Sequence, residues 1–377
     1  MTLVIGTSVV GEGAPVFSES FNGSGAPSDW DYSGGDTGTW TGEEVGNGCI
    51  TAANGMWRGP MMELEPFEYY RLTFKGKSPG KCYWLLNFYS ADGTEHPVDH
   101  YNCFEASEDW EKKEYYFRCI NDVTHARLAF RPMYDKPAWI DDVVIEKANR
   151  KNVIKWADRV YAAMPQLDYT APADRWQLIP RAIDALQSGG TLKVVMLGDS
   201  IINDTANSAY DVRIENMYPG ARWNNIYSVR GSTGCAAYKQ GNRVKEMVLD
   251  YEPDFLMIGG ISNGDAESVR MVIGQVRKVM PDLEILVMSG PIGRVDPFKY
   301  KDWQSVPQEG EYRTQIKQIA ADEKCEYLDM ETAWGNYVKI SGKDWEYFTR
   351  DELHGNSEGR QILSKILEAF FSPKPRK

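Results

Sequence analysis

A short apolar run that stops abruptly at Gly198-Asp199-Ser200 constrains this chain more than any other segment. The run Lys193–Gly198 is rich in β-branched residues and ends at a glycine, which predicts a buried strand. Ser200 would then lie at the carboxyl end of the strand, where open α/β sheets bind ligands. If a helix begins directly after it, backbone N–H groups and the positive end of the helix dipole would help an oxyanion to form. An Asp/Ser helix cap after a core strand is the alternative interpretation.

The composition is that of a folded protein with room for two domains, since the chain has 377 residues, of which 42% are hydrophobic and 25% charged. The formal net charge of −12 argues against nucleic acid and against an anionic membrane surface as partners. No apolar stretch approaches the roughly 20 residues of a membrane span. The first ten residues lack a basic start and a convincing cleavage site. They could be the remnant of a trimmed export signal or a start unrelated to export, and the sequence does not decide between the two.

The cysteines give no metal signal. No two of the six cysteines form a Cys-x-x-Cys pair, so neither a zinc site nor a thioredoxin-like site is indicated. We expect no metal and no cofactor. The even number permits disulfides in the first half of the chain, and free buried thiols are an equally good alternative. The cysteines are Cys49, Cys82, Cys103, Cys119, Cys235 and Cys325.

Residues 1–148 have the pattern of an antiparallel β-sandwich. Short aromatic runs of strand length alternate with turn clusters such as Ser78-Pro79-Gly80, and no helical period is evident. The strands are expected at Tyr69–Phe74, Tyr83–Tyr89, Glu114–Arg118, Ala126–Phe130 and Ala138–Ile145. Residues 149–190 follow as a helical connector, with a second helix expected over Asp174–Leu186.

Residues 191–377 alternate strands and helices, which predicts a doubly wound α/β domain with a parallel sheet covered on both faces. The expected strands are Lys193–Gly198, Trp223–Val229, Asp254–Gly260, Glu284–Gly290 and Cys325–Met330. The expected helices are Asp265–Met280, Gly310–Asp322 and Asn356–Phe371.

One histidine of this second domain stands in a setting suited to catalysis. His354 is the only histidine after residue 190 and lies directly before the final helix. Imidazole is the side chain whose pKa suits a general base near neutral pH. Asp351, three residues earlier, could accept the other ring N–H and fix the tautomer. The alternative is a solvated loop histidine beside a carboxylate at the start of a helix.

Taken together, these two segments resemble the SGNH, or GDSL, hydrolase family of esterases and acylhydrolases. Gly198-Asp199-Ser200 is similar to the first motif of the family, and Asp351-Glu352-Leu353-His354 to its last motif, Asp-x-x-His. The resemblance covers residues 191–371. It implies a flavodoxin-like α/β/α fold in which Ser200 is the nucleophile, His354 the general base and acid, and Asp351 the residue that orients His354.

The resemblance also implies an oxyanion hole built from three donors. These are the N–H of Ser200, a glycine N–H after the second strand and an asparagine side chain after the third. Gly234 is the first candidate for the glycine, with Gly231 as the alternative. Asn263 is the candidate for the asparagine, although it stands one residue later than in the Gly-x-Asn-Asp motif of the family, so Ser262 or a backbone amide could substitute.

The expected substrate is an ester on a carbohydrate, most simply an O-acetyl group on a polysaccharide. The first domain resembles carbohydrate-binding jelly-roll modules on Phe17-Ser18-Glu19-Ser20-Phe21 and Ile140-Asp141-Asp142-Val143. Because tryptophan rings stack on sugars, Trp40 and Trp57 beside glycine-rich loops are candidate sugar contacts. Arg294 and Trp303 are candidates in a loop over Gly290–Gln308. A second loop is expected over Glu331–Phe348, with Trp334 and Trp345.

Two other functions remain open at this stage. One is a lipid or thioester acylhydrolase of the same family, and the other is a glycan-binding protein with an inactive hydrolase domain. A secreted or periplasmic location would fit a polysaccharide substrate.

Overall fold

The computed structural model describes residues 15–22, 27–34, 37–41, 49–53, 55–133, 136–291, 296–300 and 309–374. The chain divides into two compact units, Met1–Trp156 and Ala157–Lys377. The division falls inside the helix Arg150–Ala162 (α1), in the segment that the sequence assigns to a connector.

Unit 1 is built from two antiparallel sheets. The first has the order β3-β4-β11-β6-β9, with β1 also paired to β11, and the second has the order β2-β5-β10-β7-β8. The strands of the first sheet are Pro15–Glu19 (β1), Thr37–Thr41 (β3), Cys49–Ala53 (β4), Tyr69–Ser78 (β6), Ser107–Arg118 (β9) and Ala138–Ala148 (β11). Those of the second are Asp31–Ser33 (β2), Met56–Glu63 (β5), Cys82–Tyr89 (β7), His100–Phe104 (β8) and His125–Pro132 (β10).

Aromatic side chains join the two sheets into a sandwich. The ring centroid of Phe74 on β6 lies 5.4 Å from that of Phe104 on β8 and 5.0 Å from that of Phe130 on β10. Trp84 on β7 contacts Tyr115 on β9 with ring centroids 5.0 Å apart. Because buried aromatic rings supply large apolar areas, the inward-facing positions of these strands form the core. The β-sandwich expected from the sequence is confirmed.

Unit 2 contains a parallel sheet in the order β13-β12-β14-β15-β16. In terms of chain order this is 2-1-3-4-5, the flavodoxin-like arrangement. Val195 of β12 lies opposite Ile226 of β13 and Leu256 of β14, so the first strand is an inner strand of the sheet. The strands are Thr191–Gly198 (β12), Arg222–Val229 (β13), Phe255–Ile258 (β14), Glu284–Met288 (β15) and Glu326–Leu328 (β16). The predicted fold class is therefore confirmed.

Alternating side chains of the sheet pack against helices on both faces. Leu197 and Ile258 belong to an apolar cluster with Val272 of the helix Ala266–Val279 (α7). On the other face, Phe255 contacts Phe371 of the last helix with ring centroids 6.4 Å apart. The other helices of the unit are Pro180–Gln187 (α2), Ser200–Ala206 (α3), Tyr210–Met217 (α4), Cys235–Tyr238 (α5), Arg243–Met247 (α6), Glu309–Asp322 (α8), Met330–Ser341 (α9) and Ser357–Phe371 (α10).

Two sequence-based expectations for unit 2 are wrong. The helix expected over Asp174–Leu186 begins only at Pro180, because proline is tolerated in the first turn of a helix but not in its interior. The segment Glu331–Phe348, expected as a loop, contains most of α9. Asp329 is the N-cap of this helix, and its side chain accepts a hydrogen bond from the N–H of Thr332. Trp334 lies on this helix and is buried, so it belongs to the core.

The six cysteines are all free and buried, which agrees with the free-thiol alternative. Within the described residues, no helix combines the length and the apolar character needed to cross a bilayer.

Candidate active site

Ser200 is the first residue of α3, immediately after the carboxyl end of β12. Asp199 is the N-cap of this helix, and its Oδ1 accepts the N–H of Ile201 at 2.9 Å. The capping interpretation is therefore correct for Asp199, and it leaves the Ser200 side chain free to take part in the site. In a 2-1-3-4-5 sheet the strand order reverses beside the first strand, which is where such folds bind ligands.

Three side chains form a continuous hydrogen-bonded chain at this position. His354 Nε2 lies 2.8 Å from Ser200 Oγ. The other ring nitrogen, Nδ1, lies 2.9 Å from Oδ2 and 3.0 Å from Oδ1 of Asp351. The structure thus brings together the three residues that the sequence predicts, in the order hydroxyl, imidazole, carboxylate. This arrangement can transfer the hydroxyl proton to the imidazole.

The turn that carries the imidazole is held by its own hydrogen bonds. Asp351 Oδ1 accepts the N–H of Leu353 at 2.8 Å and that of His354 at 2.7 Å. The N–H of Arg350 donates to the His354 carbonyl at 2.8 Å, and Thr349 forms an antiparallel bridge with Gly355. The spacing Asp-x-x-His therefore lets one carboxylate bind both the backbone and the ring of the histidine.

The electrostatic environment keeps Asp351 ionised. Burial raises the pKa of its carboxyl, but the hydrogen bond from His354, the charge of that ring and the charge of Arg350 outweigh burial and hold the pKa well below its ordinary value. An ionised acceptor holds the Nδ1–H tautomer of His354, which leaves Nε2 able to accept the Ser200 proton.

Asp199 also joins the start of α3, which carries Ser200, to the loop after β14. Its Oδ2 accepts the N–H groups of Ile261 at 2.7 Å and Ser262 at 2.6 Å. The approach requires Gly260, whose φ is +101° and whose hypothetical Cβ would lie 2.5 Å from Asp199 Oδ1. Asp199 thus holds the start of α3 and this loop together. The sequence singles it out only as a member of the Gly198-Asp199-Ser200 motif and does not indicate these contacts.

Gly234 lies where the loop after β13 meets the loop after β14. A Cβ at this position would lie 2.1 Å from the Ser262 carbonyl oxygen and 2.5 Å from Asn263 Cα, so only glycine fits. Among the described residues, no acceptor is hydrogen bonded to the N–H of Gly234 or to that of Ser200. We therefore keep these two amides as the candidate oxyanion donors.

The alternative oxyanion donors are placed differently. Asn263 is 1% exposed; its Oδ1 accepts the Cys235 N–H at 3.1 Å, and its Nδ2 lies 3.3 and 3.4 Å from the carbonyl oxygens of Gly260 and Gly259. The side chain therefore braces two loops, which differs from the expected role as an oxyanion donor. The N–H of Ser262 is engaged by Asp199.

Gly231, the fallback for Gly234, is an exposed residue in the loop after β13. A Cβ there would meet no heavy atom within 4 Å. Glycine is therefore not required at Gly231 by close packing, in contrast to Gly234, where backbone atoms of the neighbouring loop exclude any side chain.

The candidate sugar contacts receive little support. Trp57 is 5% exposed, its Nε1 donates to the Thr51 carbonyl at 2.8 Å, and its ring contacts Tyr32. Its assignment as a sugar platform is wrong, because the ring belongs to the sandwich core. The side chain of Trp40, together with the whole of Arg294 and Trp303, lies outside the described residues.

Sequence reasoning missed two polar groups near Ser200 and His354. Tyr238 Oη donates to the Gly198 carbonyl at 2.7 Å and so fixes the end of β12. Asp204, one helical turn after Ser200, is buried and binds the backbone N–H of Gly355, the residue after His354. Residues four positions apart lie on the same side of a helix, so the spacing between Ser200 and Asp204 could have singled out Asp204. Among the described residues, no three His, Cys, Asp or Glu side chains gather as a metal site.

No family model and no curated protein matches this sequence. Solved structures do resemble it. A two-domain esterase active on acetylated mannans is 18% identical over 51% of this chain and 52% of its own, with a TM-score of 0.41. An acetyl xylan esterase is 19% identical over 46% of this chain and 97% of its own, with a TM-score of 0.36.

A xylan-binding domain from Paenibacillus barcinonensis is 12% identical over 37% of this chain and 97% of its own, with a TM-score of 0.31. The chain spans about half the length of the two-domain esterase. These neighbours are two esterases and a xylan-binding domain.

Proposed function

We propose that this protein is a serine esterase that removes ester groups, most simply O-acetyl groups, from a polysaccharide. The observation that carries the proposal is the hydrogen-bonded chain from Ser200 Oγ through His354 to Asp351. Its hydroxyl–imidazole distance of 2.8 Å lies within the reach that proton transfer requires.

In the first half of the reaction, Ser200 Oγ attacks the ester carbonyl carbon while His354 Nε2 takes the hydroxyl proton. Asp351 stabilises the imidazolium that forms. The negative charge on the former carbonyl oxygen is met by the N–H groups of Ser200 and Gly234, which are the donors we favour. Asn263 remains a candidate for a third donor only if its side chain leaves its present hydrogen bonds.

When the tetrahedral intermediate collapses, His354 returns the proton to the leaving sugar hydroxyl, and the acyl group stays on Ser200. In the second half, His354 deprotonates a water molecule that attacks the acyl carbon, and the acid leaves with regeneration of the serine hydroxyl. The acyl group and one water molecule thus yield the free acid, and no further reactant is needed.

The sandwich unit supports a carbohydrate substrate. Tyr83 and Tyr101 on the neighbouring strands β7 and β8 are half-buried, with ring centroids 6.0 Å apart. Four residues further along β7 and on the same face, Asn87 Nδ2 lies 3.3 Å from Asp99 and 3.4 Å from Glu95. A strand face that carries aromatic rings and, further along, an amide hydrogen bonded to carboxylates suits the apolar faces and hydroxyl groups of a sugar. A polymeric substrate would also place the protein outside the cytoplasm.

The test is the release of acid from a panel of acetylated and methyl-esterified polysaccharides. We expect acetate release by the wild-type protein, and its loss in Ser200→Ala and His354→Ala, with unchanged circular dichroism. Ser188→Ala is the matched control, because Ser188 is an exposed serine before the amino end of β12 and should leave the activity intact.

The outcomes separate the competing functions. Cleavage of long-chain esters in preference to acetyl esters would favour a lipid or thioester acylhydrolase. Binding of polysaccharide without any hydrolysis would favour the inactive glycan-binding protein. Affinity electrophoresis tests the sandwich surface: Tyr83→Ala should lower the retention by polysaccharide while the hydrolysis of a small soluble ester stays unchanged.

A further inference from the structure

A buried carboxylate links the helix of the nucleophile to the turn of the histidine. Asp204 lies on α3, four residues after Ser200, and is 1% exposed. Its Oδ2 accepts the N–H of Gly355 at 2.9 Å, and its Oδ1 accepts a hydrogen bond from Arg350 Nη1 at 2.8 Å. Arg350 and Gly355 directly flank the Asp351–His354 segment. Asp204 therefore contacts the turn on both sides of the catalytic pair.

A second arginine completes the cluster from the last helix. Arg360 of α10 donates from Nη2 at 2.8 Å and from Nε at 3.2 Å to Asp204 Oδ1. Both guanidinium groups are buried. One carboxylate thus joins α3, the catalytic turn and α10, and it is opposed by two positive charges in a place that water does not reach.

The carboxylate is ionised in this environment. Burial raises the pKa of Asp204, but the charges of Arg350, Arg360 and His354 outweigh it, and the pKa is lowered. Removing the negative charge of Asp204 takes away a carboxylate that both buried guanidinium groups bind, which is a costly change in a buried ion cluster.

We propose that Asp204 is a positioning residue that fixes the distance and the angle between His354 and Ser200. The inference rests on the proposed function, since it concerns the activation of that serine. A capping or packing role alone would require neither a carboxylate bound to both flanks of the turn nor its placement one turn after the nucleophile. Displacement of an activating group by about 1 Å can lower a rate by about 100-fold.

The charged groups around His354 predict an additional effect on the pH dependence. Its own turn contributes Arg350, Asp351 and the exposed Glu352. Asp204 of α3 interacts electrostatically with His354, and Arg360 of α10 acts on this pair through its ion pair with Asp204. Removing the negative charge of Asp204 disfavours the imidazolium, so the acid limb of the pH–rate profile should move to lower pH. Removing the positive charge of Arg360 should move that limb to higher pH. A purely structural role would not give opposite shifts.

The experiment measures the rate at which a fluorophosphonate ester labels the serine of the full-length protein across pH. We expect Asp204→Asn to slow labelling about 10- to 100-fold at its pH optimum, with the acid limb shifted to lower pH. Arg360→Gln should shift the acid limb to higher pH. Glu284→Gln is the matched control, because this buried carboxylate binds the N–H groups of Arg181 and Ala182 at the amino end of β15. It should lower the melting temperature without slowing labelling.

The outcomes are distinguishable. A wild-type protein that is labelled no faster than Ser200→Ala would overturn the proposed function and this inference with it. Wild-type labelling with an equally fast Asp204→Asn protein would overturn this inference alone. If Asp204→Asn does not fold, Arg360→Gln decides: an acid limb at the wild-type position would refute the assignment, and a limb at higher pH would support it.

Discussion

Replacing Asp351 by asparagine tests the catalytic chain most directly. The change keeps the size of the side chain and the acceptor for the N–H groups of Leu353 and His354, but it removes the charge and one acceptor beside Nδ1. An amide N–H facing Nδ1 favours the ring tautomer that carries its proton on Nε2. That tautomer cannot accept the Ser200 proton. Substitution of the orienting carboxylate in such a triad lowers kcat by about 10,000-fold, equivalent to about 5 kcal/mol of transition-state stabilisation.

The assay is the initial rate of acetate release at saturating substrate, with the melting temperature measured in parallel. Glu352→Gln is the control, because Glu352 is an exposed carboxylate next to Asp351 and should change kcat less than twofold. If folded Asp351→Asn kept more than about one tenth of the wild-type kcat, the role of this carboxylate in orienting the imidazole would be refuted.

Four further outcomes are expected. Gly234→Ala should lower stability by about 1 to 3 kcal/mol in chemical denaturation, because its Cβ would overlap the Ser262 carbonyl oxygen; unchanged stability would contradict the close approach. Asn263→Ala should lower the melting temperature and change kcat little. A loss of kcat by about 100-fold or more at an unchanged melting temperature would instead identify Asn263 as an oxyanion donor. Trp57→Ala should cost about 3 to 5 kcal/mol of stability, and a change in polysaccharide affinity alone would contradict its place in the core. Because the folded-state pKa of Asp351 is lowered, its contribution to stability is present above the unfolded value near 4 and is lost as pH falls through the folded pKa, which acid titration followed by circular dichroism can detect.

The fold was predictable because its strands carry strong local signals. Lys193–Gly198 is a largely apolar run that ends at a glycine, and Trp223–Val229 is rich in large apolar residues; the structure extends each by only one or two residues. The helix Met330–Ser341 was missed for a local reason. Glycines at 335 and 342 and two tryptophans gave the segment the character of a loop, although the Asp329 cap marks the start of the helix.

For the proposed active site, the sequence could predict the residues of the two motifs but not the buried groups that hold them in position. Ser200 and His354 belong to motifs of adjacent residues, so one sequence suffices to suggest them. The ionic cluster at Asp204 joins residues about 150 positions apart, and a buried charge looks no different in sequence from a solvated one. Only the folded chain shows which charges are removed from water and therefore must be paired.

The two carboxylates on either side of Ser200 explain how a short helix can hold this proposed nucleophile in place. The helix α3 has seven residues, fewer than the roughly 12 to 15 that an isolated helix needs to be stable in water. Its position must therefore come from tertiary contacts. Asp199, one residue before Ser200, binds the loop after β14, and Asp204, four residues after it, binds the turn of His354. Hydrogen bonds to charged groups are stronger than neutral ones, so the Ser200 hydroxyl is fixed on both sides before any substrate arrives. The preorganisation of this hydroxyl therefore depends on the two carboxylates rather than on the helix itself.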